Sequence, residues 1–162
     1  VSTAHPVSDA LQQLIVDAAA SVPELGSRPL HRGKTYVCVE GPRLGTRAES
    51  HLFRSSGFDL VGMTNVPEVF LAREAQMAYA TITVATDYDS WLDDPTEHVS
   101  VDKVISLFRS RVGLVKELLK TVIAEGKLPT ECPSRRSLEF ALLTPAEHLT
   151  DEHLALLSVL RA

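Results

Sequence analysis

The sequence places apolar residues at helical spacing in two long stretches. Residues 8–20 carry Leu11, Leu14 and Ile15 on one face, as in a helix that packs against a core. Residues 100–124 keep an apolar stripe from end to end. The pattern therefore predicts a helix in each stretch, and it predicts that the second helix is packed along its length.

Three shorter apolar runs alternate with further helical segments. Residues 35–39, 58–63 and 79–85 are rich in β-branched and aromatic residues, which favours strands. Between them, capping signals predict helices that start near Thr46 and near Thr64. Strands that alternate with helices form βαβ units with right-handed crossovers. We therefore expect an α/β fold with a largely parallel sheet flanked by helices.

The remaining segments extend this pattern. The helix after Thr64 should run to about Met77, residues 138–143 favour a last strand, and residues 150–161 favour a capped, Leu-rich helix. The acidic residues 93–97 favour a solvated loop. The sequence contains no internal repeat, low-complexity tract or domain linker. We expect residues 1–162 to belong to a single domain.

Composition narrows the class of protein. The chain has 162 residues, 44% of them hydrophobic, and a formal net charge of -5, which argues against disorder and nonspecific nucleic-acid binding. No apolar run reaches the roughly 20 residues that cross a bilayer. The first residue is Val1 rather than Met, which suggests processing or truncation. We expect a soluble cytoplasmic protein without a membrane partner, with the nucleus left open as a second location.

Cysteines and histidines give no sign of a metal site. Cys38 and Cys132 lack zinc-like spacing, and none of the six histidines pairs with another at i, i+4. Cys38 lies in an apolar run, so a small buried thiol in a reducing compartment is the simplest interpretation. We expect no metal and no disulfide.

The strongest chemical candidate is the carboxylate pair Asp87 and Asp89, directly after the apolar run 79–85. Ligands bind at the carboxyl ends of parallel strands, where this pair is expected. Two alternatives remain open at this point. The residues can be turn formers or helix caps, or they can be an Asp-x-Asp motif that binds a divalent ion.

Two other strand ends should meet the Asp pair at the same edge of the sheet. The first is the loop 40–45, whose glycines match no phosphate-binding or dinucleotide fingerprint. The second is the segment 63–65, in which Thr64 can hold an anion at a helix N-terminus or simply cap that helix. Leu44 and Met63 can line an apolar pocket or belong to the core.

Two longer segments of the sequence carry a specific resemblance. EGPRLGTRAESHLFRSSGFDLVGMTNVPEVFLAREA, followed by ATDYDSW, closely resembles the C-terminal half of methylthioadenosine phosphorylases, trimeric members of the purine nucleoside phosphorylase superfamily. The resemblance spans residues 1 to about 119, with a looser tail. It implies the C-terminal portion of an α/β domain with a central mixed, largely parallel sheet. It also implies phosphorolysis of 5'-methylthioadenosine to adenine and 5-methylthioribose 1-phosphate.

The resemblance assigns roles to individual residues. It implies that Met63 contacts the ribose, that Thr64 binds phosphate, and that Asp87 and Asp89 bind adenine, with Asp87 as the catalytic group. Leu44 takes the position of an aromatic residue that commonly stacks on the base. The positions that enclose the 5'-methylthio group are Val101, Val104 and Ile105. Leu160 matches a residue that enters the neighbouring subunit's pocket.

Hydrogen-bond chemistry agrees with an adenine site. The 6-amino group of adenine donates and its N7 accepts, so a protonated carboxyl at N7 and a carboxylate at the amine read this base. Asp87 would share or donate a proton at N7 as phosphate attacks C1', so that adenine leaves neutral. Related 6-oxopurine enzymes resemble this pattern but carry Asn there.

Departures from the family pattern limit the assignment. Gly45 replaces a small polar residue, and Gly62 stands where some methylthioadenosine enzymes have Asn. The family's N-terminal half, which carries further phosphate ligands, is missing from the sequence. The resemblance therefore implies an N-terminal half as a partner, a homotrimer, and inorganic phosphate as co-substrate with no other cofactor. A 6-oxopurine nucleoside phosphorylase and an inactive nucleoside-binding fragment remain alternatives.

Overall fold

The computed structural model describes residues 1–27, 29–94 and 100–161. This part of the chain contains six α-helices, two strands and two short 3-10 helices. They are α1 (Asp9–Ala20), α2 (Pro23–Gly26), β1 (Tyr36–Cys38), α3 (Arg47–Ser55), β2 (Leu60–Gly62), α4 (Glu68–Glu74), α5 (Val101–Glu125), the 3-10 helices Pro133–Arg136 and Ala146–His148, and α6 (Asp151–Leu160). Residues 95–99, which include part of the predicted acidic loop, lie outside the described residues.

Local capping interactions define the predicted helices. The Ser8 hydroxyl accepts the N–H of Leu11 at the start of α1. At α3, Thr46 accepts the N–H of Glu49, and the Glu49 carboxylate accepts the N–H of Thr46. Each cap satisfies a backbone group that the first helical turn leaves without a partner. The helices predicted from Ser8 and Thr46 are therefore confirmed.

The sheet consists of β1 and β2, which pair in parallel. Tyr36 lies opposite Leu60, and Cys38 lies opposite Gly62. The loop that enters β1 is tied to the loop that enters β2, because Asp59 accepts the N–H of Thr35 at 2.9 Å and pairs with Lys34 at 2.8 Å. The connection from β1 to β2 runs through α3, as in a βαβ unit.

Two predicted strands are absent from the described residues. Residues 79–85 have no ladder hydrogen bonds, and residues 138–143 form no strand, since residues 138–141 are in turns. An apolar, β-branched run shows that a segment suits burial, whereas a strand also needs a neighbour that offers its backbone groups in register. The strand prediction was wrong for both segments because that second requirement is not visible in a local pattern.

The core lies between α1 and the C-terminal half of α5. Leu14, Ala18, Leu118 and Val122 are buried in it, together with Ala19 and Val22. The first half of α5 is different, since Val101 is 64% exposed. The prediction of a helix over residues 100–124 is confirmed, but packing along its whole length was wrong, because a helical stripe shows which face suits burial and not what covers it.

Helix α4 starts later and ends earlier than predicted. Its N-cap is Pro67, and no side chain caps it, so the alternative in which Thr64 caps this helix was wrong. The first helical residue is Glu68, and the N–H of Val69 donates to the carbonyl of Asn65. Thr64 therefore precedes the first turn of the helix. None of the helices in the described ranges is long and apolar enough to cross a membrane.

Candidate functional site

A cavity with a volume of about 710 Å³ lies at the carboxyl ends of β1 and β2. Its walls come from the loop after β1, the first turns of α3, the end of β2, the segment after residue 85 and one residue of α5. The three segment ends that were expected at one edge of the sheet therefore line one cavity, but the third segment is not a strand of the sheet.

Five of the predicted site residues line this cavity: Leu44, Met63, Asp87, Asp89 and Val104. Thr64 is exposed beside Met63 and lies outside the lining. Val101 and Ile105 also lie outside it and are 64% and 42% exposed. Val104 and Ile105 lie three and four positions after Val101, so the three residues share one face of α5, which extends beyond the cavity.

Asp87 and Asp89 form a compact turn at the cavity wall. The N–H of Asp89 donates to Oδ1 of Asp87 at 2.9 Å, and the Thr86 hydroxyl donates to Oδ2 of Asp87 at 2.7 Å. Asp89 has a φ of 58°, a left-handed conformation that Asp tolerates better than most residues. The turn-former interpretation therefore holds for the backbone, while the same two residues also line the cavity.

Leu160, which was predicted to enter a neighbouring subunit's pocket, lies outside this cavity. Its carbonyl accepts a hydrogen bond from the Gln76 side chain at 3.1 Å, and the Oε1 atom of Gln76 accepts the N–H of Leu138 at 3.3 Å. One amide therefore fastens α6 and the segment before it to the end of α4. Leu160 is absent from the lining of the cavity described above.

Two glycines allow close approaches near the cavity floor. The Met63 sulfur lies 3.1 Å from the place that a Cβ on Gly41 would take. At Gly62 the corresponding place is 1.8 Å from the Tyr36 hydroxyl, so the Tyr36 ring fills the space of a side chain at position 62. A residue with a side chain there requires Tyr36 to move.

An ion pair between Arg43 and Glu49 lines the cavity, and the sequence pattern did not predict it. The two terminal guanidinium nitrogens of Arg43 donate to the Glu49 carboxylate, at 2.6 and 2.9 Å. These bonds, followed by those from Thr46, lower the pKa of Glu49 to about 2. The pKa of Arg43 is raised by the same pairing. The pair holds the loop after β1 against the start of α3.

Phe53 is a second lining residue that the sequence reasoning missed. A signal was available, because Phe53 lies four positions after Glu49 and the two therefore share a face of α3. The Phe53 ring is tilted against Phe58, with centroids 6.3 Å apart. It supplies an aromatic surface to a cavity in which Leu44 replaces the expected aromatic residue.

Metal ligands are not grouped in the described ranges. No set of three or more His, Cys, Asp or Glu side chains there could hold an ion. Cys38 and Cys132 are free thiols, half-buried and buried respectively.

The geometry can be compared with known proteins. Residues 1–124 match the sequence profile of the Phosphorylase superfamily. The chain belongs to this superfamily. Since the matched range contains α1 to α4 and nearly all of α5, it includes every segment that lines the cavity.

Individual relatives within the superfamily share one name. The S-methyl-5'-thioadenosine phosphorylase of Geobacter sulfurreducens is 41% identical over 149 residues, which cover 89% of this chain and 51% of that protein. The Synechocystis protein of the same name is 43% identical over 157 residues, covering 94% and 48%. The chain spans about half the length of the curated relatives it matches.

Solved structures agree with the superfamily assignment. A methylthioadenosine phosphorylase from an antarctic soil metagenomic library superposes with a TM-score of 0.82 at 34% identity, over 99% of this chain and 55% of that one. The methylthioadenosine phosphorylase of Schistosoma mansoni, in complex with adenine, gives a TM-score of 0.68 at 34% identity, over 79% and 49%. The predicted nucleoside phosphorylase fold and the resemblance to this family are confirmed.

Proposed function

We propose that this chain contributes the base-binding part of an enzyme that cleaves S-methyl-5'-thioadenosine with inorganic phosphate. The products are adenine and 5-methylthioribose 1-phosphate. The observation that carries the proposal is the convergence of Asp87 and Asp89 with Leu44, Met63 and Val104 around one cavity. The names of the curated relatives support the same reaction.

Base recognition is assigned to the two carboxyl groups. Asp87 donates a proton to N7 of adenine, and Asp89 accepts from the 6-amino group. The Thr86 hydroxyl can hydrogen-bond to Asp87 whether or not that carboxyl carries a proton. It donates to a carboxylate oxygen and can accept from a protonated one. Leu44 and Phe53 offer apolar surface to the faces of the base.

The bond changes follow from this placement. A phosphate oxygen forms a bond to C1' while the bond from C1' to N9 of adenine breaks. The electron pair of that bond moves into the purine, and the proton from Asp87 reaches N7, so the base leaves neutral. Asp87 then recovers a proton from solvent. No cofactor takes part besides phosphate as co-substrate.

The remaining predicted contacts surround the sugar. Met63 lies against the ribose, and Thr64 donates its hydroxyl to phosphate. The face of α5 that carries Val101, Val104 and Ile105 encloses the 5'-methylthio group. Val104 reaches the cavity in this chain, and the exposure of Val101 and Ile105 leaves them free to contact a substituent that extends from it.

Activity is assigned to the complete enzyme. We place residues 1–162 in one domain with an N-terminal half that corresponds to that of the curated relatives. That half supplies further phosphate contacts. The assembly is a homotrimer in which Leu160 reaches the neighbouring pocket, and its location is the cytoplasm. The exposed apolar residues of α5, such as Phe108 at 51%, support a covered position for that helix in the assembly.

Phosphate-dependent release of the free base tests the proposal. The complete enzyme is supplied with methylthioadenosine, adenosine or inosine, with and without phosphate, and the base is quantified by chromatography. We expect methylthioadenosine to give adenine only when phosphate is present. Preference for inosine over both aminopurine nucleosides would indicate a 6-oxopurine enzyme instead. Absence of turnover with tight adenine binding would indicate a nucleoside-binding module.

A further inference from the structure

Helix α3 contacts the segment that follows Asp87 and Asp89. The guanidinium carbon of Arg54 lies 3.5 Å from the centre of the Trp91 ring. Two turns earlier on α3, Arg47 forms an ion pair with Asp93. Residues seven positions apart share a helix face. A single face of α3 therefore holds the segment at both Trp91 and Asp93.

The contact at Trp91 continues back to the carboxylates. The rings of Trp91 and Tyr88 meet edge to face, with centroids 6.3 Å apart. Tyr88 is 61% exposed and stands between Asp87 and Asp89 in the sequence. A continuous stack of Arg54, Trp91 and Tyr88 thus connects α3 with the turn that carries both carboxyl groups.

The hydrogen bonds within the turn of Asp87 and Asp89 do not set its orientation relative to the sheet. Its own hydrogen bonds, from Asp89 N–H to Asp87 and from Ser90 N–H to Asp89, join near neighbours. They fix the shape of the turn but not its direction relative to the sheet. The preceding residues 79–85 have no ladder hydrogen bonds that could set this direction.

Loose packing behind the turn points to the same dependence. A second cavity of about 280 Å³ is lined by residues 83–89, by Trp91, by α3 residues that include Arg54, and by β2. Ser50 also lines it, and its buried hydroxyl has no hydrogen-bond partner. Because a cavity lies beside the turn on this side, the contact of Arg54 with Trp91 is one of the few that can position it.

We propose that Arg54 is a positioning residue for base recognition, which acts through Trp91 to orient the Asp87 and Asp89 carboxyl groups toward a 6-aminopurine. This inference rests on the proposed function. Hydrogen-bonded recognition tolerates displacements of only about half an ångström. Loss of the stack should therefore weaken binding of the nucleoside while leaving phosphate binding, which uses other groups, in place.

Steady-state kinetics of the complete enzyme test this role. Arg54→Leu should raise KM for methylthioadenosine about tenfold, the size of a partly desolvated cation–π contact, and leave KM for phosphate within about twofold of wild type. Arg54→Lys keeps the cation and should recover most of the affinity. Trp91→Leu removes the contacts with both Arg54 and Tyr88 and should raise this KM at least as much as Arg54→Leu. Arg136→Leu removes an exposed arginine paired 3.6 Å from Glu139 and serves as the matched control.

The double variant Arg54→Leu/Trp91→Leu separates positioning from general destabilisation. We expect its KM for methylthioadenosine to equal that of Trp91→Leu alone, because Arg54 acts only through Trp91. Equal increases in both KM values, additive effects in the double variant, or a lower unfolding temperature with unchanged KM would overturn the role of Arg54. If Arg54→Leu fails to fold, Trp91→Leu and Arg54→Lys decide the question by the same KM comparison.

Failure of the proposed function has a different result. In that case the wild-type enzyme does not convert methylthioadenosine with phosphate, whatever the variants do. If wild type converts it and the variants keep wild-type KM values, the reaction stands and only the positioning role is wrong. Calorimetric binding of adenine to the same variants repeats the comparison without turnover.

Discussion

The Tyr36 hydroxyl lies 1.8 Å from the place that a Cβ atom on Gly62 would take. These residues sit on paired strands, and Gly62 lines the cavity beside Met63. The Tyr36 ring therefore occupies the volume that a side chain at position 62 would need. This arrangement makes glycine a packing requirement at Gly62.

Gly62→Ala should destabilise the complete protein. The new methyl group clashes with the Tyr36 ring, and overpacking of this kind costs about 1–3 kcal/mol. Denaturant unfolding measures the change. Gly113→Ala is the matched control, because a Cβ there meets no atom within 4 Å and the helical position should gain about 0.5–1 kcal/mol. The cost at Gly62 should shrink in a Tyr36→Leu background, and an unchanged cost there would contradict the clash.

Acid stability should depend on the pair of Arg43 and Glu49. Pairing lowers the pKa of Glu49 from 4.5 to about 2. A carboxyl whose folded pKa is depressed contributes stability above its unfolded pKa, and the contribution is lost as the pH falls toward the folded pKa. Glu49→Gln should therefore flatten the decline in unfolding temperature between pH 4.5 and about 2.

Arg43→Gln tests the cause of that depressed pKa. The variant removes the largest contribution, the hydrogen bonds from the guanidinium, but keeps those from Thr46. Its unfolding temperature should decline over a narrower pH range than wild type and over a wider one than Glu49→Gln. Superimposable wild-type and Glu49→Gln profiles would show that the pair does not couple to folding.

The side-chain amide of Gln76 should slow hydrogen exchange of backbone amides in the C-terminal region. Gln76→Gly removes the bonds to Leu138 and Leu160 but tolerates the φ of 55° at this position. Two lost hydrogen bonds cost roughly 1–3 kcal/mol, so amides in residues 138 and 151–160 should exchange faster. Gln13→Ala, which removes a bond within α1, should leave this exchange unchanged. Equal exchange in both variants would contradict the fastening role.

Local signals in the sequence predicted most of the helices. Ser8 and Thr46 cap their helices as expected because capping depends on residues within one turn. The segment 79–85 was mispredicted because strand pairing depends on a distant neighbour. In the site, the meeting of the segment ends was predictable from alternating elements. The contacts of Arg43 with Glu49 and of Arg54 with Trp91 were not, since each joins residues whose spacing has no regular meaning.

Asp89 should determine which purine the enzyme prefers. Asp89→Asn replaces an acceptor with a group that can donate, as a 6-oxo group requires. The ratio of kcat/KM for methylthioadenosine to that for inosine should fall by about 10²-fold or more, because a mispaired buried polar group discriminates strongly. Glu117→Gln, an exposed change on α5, is the control. An unchanged ratio would show that Asp89 does not discriminate between the two bases.

The proton donor is tested most directly by Asp87→Asn in the complete enzyme, with methylthioadenosine and saturating phosphate. An amide cannot deliver a proton to N7, so kcat should fall by about 10²–10⁴-fold. Circular dichroism and the unfolding temperature should stay near wild type, because Asn can still accept the N–H of Asp89. A kcat within about twofold of wild type would contradict the assignment of Asp87 as the group that protonates the leaving adenine.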